Sequence, residues 1–216
     1  MNSDSELQRA VQAELSWEPS VIASHIGVAA KSGVVTLTGH VEHYANKAAA
    51  EAAVRRVKGV KAVAEEIEVR LPFATERDDG EIAAAAINRL MWDVAFPPDA
   101  IKVTVEKGWV TLTGQVEWHY QQEAAEQVVG RLYGVTGVSN HISIRPGVDV
   151  KHLSDEITHA LNRSWYFDPK TIKVTAEAGK VRLTGAAHSM HDRQIAGLTA
   201  WSARGVTAVE NDITVN

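Results

Sequence analysis

The chain has 216 residues, of which 45% are hydrophobic and 23% charged, and a formal net charge of −5. Such a composition can build a core, while the acidic balance and the lack of any long basic run exclude nucleic acid as the expected partner. The absence of cysteine excludes disulfides, thiolate nucleophiles and zinc–thiolate sites.

In chain order, the first pattern is helical: Leu7, Val11 and Leu15 fall at i, i+4 and i+8, which stacks them on one face. Asp4 or Ser5 is the expected N-cap, and Pro19 stops continuation. A hairpin follows, with Gly33 at its turn and Val35 and Leu37 pointing inward. Its second strand ends in Leu37-Thr38-Gly39. A second helix runs from about residue 44 to 58 with Ala50, Ala53, Val54 and Val57 as its inner stripe, and Gly59 takes the C-terminal glycine position. A last strand places Ile67 and Val69 inward.

The same order then repeats twice. Gly39 recurs as Gly114 and Gly185, Gly33 as Gly108 and Gly179, and Gly59 as Gly134 and Gly205. Gly39 to Gly114 is 75 residues, as is Trp17 to Trp92; Gly114 to Gly185 is 71, as is Leu90 to Leu161. One offset holds through each whole unit, so the difference lies in the linkers near 71–80 and 146–150, which carry proline, glycine or charge. The expected units are 1–70, 78–145 and 150–216. Each reads helix, strand, strand, helix, strand, an α+β unit with two helices on one face of a three-stranded mixed sheet. Asp79 and Ser154 or Asp155 are the N-caps expected for the later units.

This order, with the Leu-Thr-Gly hairpin and a later Gly-Val-x-x-Val-x-Asn-x-Ile, resembles the BON domain family (bacterial OsmY and nodulation). The motif residues are Gly134, Val135, Val138, Asn140 and Ile142, then Gly205, Val206, Val209, Asn211 and Ile213. The first unit keeps Gly59, Val60 and Val63 but has Glu65 in place of the asparagine. The resemblance implies a non-enzymatic protein tied to envelope or osmotic stress that binds phospholipid or another envelope component. It carries over no catalytic residue and no cofactor. Met1 to Glu6 shows neither a basic nor an apolar leader region, and no apolar run approaches the roughly 20 residues of a spanning helix. The expectation is a cytoplasmic protein, at most peripheral to the membrane.

Candidate contact residues emerge from comparing the units. Trp109 aligns with Lys180, Trp118 with His43 and Ser189, and Trp201 with Arg55 and Gly130, so three indoles occupy positions that look solvent-facing elsewhere. Two readings stand: ordinary packing, with Trp109 between units and the others half-buried, or a partner or lipid contact. Trp17 and Trp92 close the first helices and are expected in the core or at its rim. Trp165 and Tyr166 lie near Lys170, Lys102 and Lys173, an aromatic and basic grouping suited to anionic phospholipid at a membrane surface.

His40, His43, His119, His188 and His191 follow the repeated Thr-Gly and read as a polar helix entrance, with no metal site expected. The pairs Glu65-Glu66 and Asp78-Asp79 come with no nucleophile or oxyanion donor, so no active site is expected. Two further function classes remain. One is a protein-interaction or self-assembly module burying Trp109, Trp118 and Trp201 in a homo-oligomer or against another protein. The other is a small-cation sensor using carboxylates and loop carbonyls.

Overall fold

The computed structural model describes residues 4–145, 152–163 and 171–215. The first unit comprises α1 (Asp4–Trp17), β1 (Ile26–Lys31), β2 (Val34–Val41), α2 (Tyr44–Arg56) and β3 (Ala62–Val69). The second comprises α3 (Asp79–Met91), β4 (Ile101–Glu106), β5 (Trp109–Val116), α4 (His119–Val129) and β6 (Gly137–Ile144). The third comprises α5 (Leu153–Arg163), β7 (Ile172–Glu177), β8 (Lys180–Ala187), α6 (Met190–Trp201) and β9 (Ala208–Val215). Each sheet has the hairpin's second strand in its centre, antiparallel to the first strand and parallel to the last. The fold is α+β, with two helices over one face of each three-stranded mixed sheet.

Each unit has its own core. Val11, Leu15, Val35, Leu37, Ala50, Ala53 and Val54 meet in the first, and the counterparts of all but Ala53 meet in the others. Alanines on the inner stripes of α2, α4 and α6 let these helices lie close to the sheet.

The hairpin turns are two residues long, with positive φ at both positions: Ser32 and Gly33, Lys107 and Gly108, Ala178 and Gly179. That is the turn whose twist matches paired strands. Asp79 holds one of them, accepting from the backbone N–H of Lys107 and of Gly108 at 2.8 Å each. Asp4 does the same for Ser32. The expected cap role of Asp79 is therefore corrected: Asp78 caps α3, in a reciprocal capping box with Glu81. Ser154 and Asp155 lie inside α5, whose first amides bond the carbonyl of His152.

Gly39, Gly114 and Gly185 do not end their strands, which continue two residues further. Their requirement is steric. A Cβ at Gly114 would sit 2.1 Å from the carbonyl oxygen of Ala100, with φ at 140°.

The second helix is tied to the last strand in each unit by a side chain at one register position. Lys47 Nζ donates to the Ile67 carbonyl at 2.8 Å, Gln122 Nε2 to that of Ile142 at 2.7 Å, and Arg193 Nη2 to that of Asn211 at 2.5 Å. Asn140 and Asn211 return the bond, donating to the carbonyls of Gln122 and Arg193. In the first unit Glu65 pairs with Lys47 at 2.6 Å. The departure from asparagine is thus a paired change that keeps the helix–strand tie.

Candidate surface site at the inter-unit helices and helix tips

The units meet through their second helices. Tyr44, His119 and Met190 share one register position at the start of α2, α4 and α6, while Arg55, Gly130 and Trp201 share one near the end. Tyr44 leans on Gly130, where a Cβ would lie 3.0 Å from its ring, and it packs against the second core. His119 stacks on Trp201 with centroids 4.2 Å apart and planes 10° apart. Met190 packs against the first core, and α6 touches α2. The first two helix starts therefore meet the following unit's helix end, and the start of α6 returns to the first unit's core. A head-to-tail contact that closes on itself makes a ring, here within one chain.

Two grooves lie between these helices. The α2/α4 groove, about 330 Å³, is lined by Tyr44, Ala45, Ala48, Glu126, Gly130 and Arg131 among others. The α4/α6 groove, about 410 Å³, is lined by Trp118, Tyr120, Glu123, Leu198 and Trp201 with His119. Burial lowers the pKa of His119, keeping it neutral at pH 7. Burial, with Glu126 nearby, raises that of Glu123. Tyr44 is raised by burial and then by the charges of Glu126, Glu51 and Glu65.

The three register-selected indoles separate. Trp118 and Trp201 come together in the α4/α6 groove. Trp109 does not pack between units: its ring lies over Gly137 of its own sheet and its Nε1 donates to Ser139 Oγ at 2.9 Å. Trp165, Tyr166 and Lys170 lie outside the described residues. The expectation for Trp17 and Trp92 is overturned, since they are 84% and 86% exposed. Each follows the last buried leucine of its helix by two residues, a rotation of about 200° to the outer face. Around Trp92, Met91, Val94 and Ile87 are exposed as well. Arg163, at the same register position in the third unit, is also exposed.

The BON domain model matches residues 3–70, 78–146 and 149–216. The chain belongs to the BON domain family. Among curated proteins it is similar to Osmotically-inducible protein Y of Escherichia coli strain K12, with 27% identity over 151 residues, covering 66% of this chain and 73% of that protein. Two solved structures of CdsD, a structural protein of the Type III secretion system of Chlamydia trachomatis, also match. One shares 17% identity at a TM-score of 0.26, covering 98% of this chain and 92% of that one. The other, its C-terminal domain, shares 16% at 0.27, covering 98% of each.

The histidines of this BON chain scatter. His40 stacks on His25 with centroids 4.9 Å apart, His43 tilts against Tyr133 of the second unit at 5.7 Å, and His188 is exposed. Among the described residues no group of three or more histidine, aspartate or glutamate side chains is placed to hold a metal ion. No helix of the described residues is long and apolar enough to cross a membrane. Sequence reasoning missed Tyr120 altogether. The signal was present: its register equivalents are Ala45 and His191, so a phenol stands at this position in the second unit alone.

Proposed function

We propose that the chain is a non-enzymatic binding protein of the osmotic or envelope stress response that settles on phospholipid surfaces through the tips of its first helices. The observation that carries this reading is the exposure of Trp17 and Trp92 at equivalent helix ends. A fully hydrated indole is an unfavourable use of a large apolar ring in a protein that contacts only water. At the headgroup boundary the same ring finds both apolar and polar surroundings. Met91, Val94 and Ile87 extend the apolar tip, and Arg163 supplies a cation at the third equivalent position. The similarity to Osmotically-inducible protein Y supports the stress setting.

The test is co-sedimentation of the full chain with vesicles of phosphatidylcholine carrying increasing phosphatidylglycerol. Association is expected to grow with the anionic fraction, weaken with salt, and fall about tenfold or more in the Trp17→Ala/Trp92→Ala double variant. No association at any anionic fraction overturns the reading.

A further inference from the structure

The α4/α6 groove differs from its sister in a way that packing does not require. At matching register positions the first pair of units carries His43, Ala45, Ala48 and Gly130 where the second pair carries Trp118, Tyr120, Glu123 and Trp201, and Glu123 lines both grooves. The sister interface closes by seating Tyr44 on Gly130, with no indole or phenol at these four positions, so Trp118, Tyr120 and Trp201 are additions here. They are also incompletely used. Tyr120 is 57% exposed, and Trp118 and Trp201 are half-buried. Among the described residues no lysine or arginine pairs with Glu123, and the nearest basic nitrogen is His119 Nδ1 at 3.8 Å. That imidazole is held neutral by its burial, so it neither neutralises the carboxylate nor repels a cation entering the groove.

Aromatic faces present negative potential to a cation, and a neighbouring carboxylate completes the charge balance. The polar complement of the groove then selects among cations. A metal ion requires several oxygen ligands, and a primary ammonium requires an acceptor for each of its N–H groups. A cation with methyl groups in place of hydrogens requires neither. We infer that the groove between α4 and α6 is a binding site for a quaternary ammonium group, caged by Trp118, Tyr120 and Trp201 and neutralised by Glu123. The group reaches the site either as a small soluble cation or as the choline head of a lipid.

The experiment titrates the full chain with tetramethylammonium chloride, using sodium chloride at equal ionic strength as reference, and follows indole N–H signals by NMR. Saturable shifts of two of the six indoles are expected, with affinity reduced about tenfold or more in both Glu123→Gln and Tyr120→Ala. Neither substitution removes buried core, and an unchanged melting temperature in each verifies the fold. Absence of saturation, an identical response to sodium, or unaltered affinity in both variants overturns the inference. Competition assigns the source. Displacement of tetramethylammonium by phosphatidylcholine vesicles, but not by phosphatidylglycerol vesicles, supports a lipid head. Displacement by choline chloride alone supports a soluble cation. The probe is soluble, so failure of vesicle binding through Trp17 and Trp92 leaves this result unaffected.

Discussion

His119 shows how one residue's setting changes its chemistry. Its ring lies between Trp201 on α6 and Glu123 on its own helix, and burial holds its pKa below the ordinary imidazole value of about 6.5. In the window between the two values the unfolded chain binds a proton that the folded chain does not. Stability therefore falls as pH drops through about 6.5 towards the folded value. Glu123 acts in the opposite sense, since a raised carboxyl pKa makes the folded chain take up a proton before the unfolded chain does on acidification. In His119→Phe, which keeps a ring against Trp201, the fall in melting temperature between about pH 7.5 and about pH 5.5 is expected to shrink or reverse. An unchanged fall would assign the acid sensitivity elsewhere. None of this was legible in the sequence, where His119 was one of five histidines after a turn. Its burial arises from a residue 82 positions away, Trp201. By contrast, the need for glycine at 114 was visible as a repeat, although its cause, the approach of Ala100, is a tertiary contact.

At the scale of elements the sequence was most informative. Helical stripes at i, i+4 and i+8 and alternating strands located every element that builds a core, because both periods follow from backbone geometry. What the stripes did not convey was the use of the other face. Trp92 lies two residues beyond Leu90, and the same spacing that buries the leucine exposes the indole. The Glu65 departure likewise became intelligible only beside Lys47, its partner across the helix–strand contact. Since these side chains are mostly buried, removing one charge should be worse than removing both. Lys47→Gln and Glu65→Asn are each expected to destabilise the first unit by about 1–3 kcal/mol, while the double variant, which installs the pair of the second unit, recovers most of that loss. Urea unfolding of the four proteins measures it, and strictly additive losses would contradict a functional pair.

For the whole molecule, the ring of second helices depends on unlike contacts at equivalent places. Tyr44 needs the notch at Gly130, while His119 needs the broad face of Trp201. This size complementarity fixes which unit neighbours which. Gly130→Leu is expected to fill the notch, separate α2 from α4, and enlarge the radius of gyration in small-angle scattering without loss of secondary structure. An unchanged radius would show that Tyr44 swings aside at little cost. On the proposed reading of Trp17 and Trp92 as a lipid contact, vesicle association is expected to weaken in the same variant.

Closure also bears on where the polypeptide starts. The segment from Val69 to Asp79 joins the end of one unit to the beginning of the next, and the segment from Ile144 to Leu153 makes the corresponding join. The repeat of these joins leads to the expectation that a connector of that length also bridges Val215 and Asp4. A circularly permuted chain opened within either existing linker would then fold to the same ring. The order of the units in the gene is one of three equivalent ways of cutting a circle.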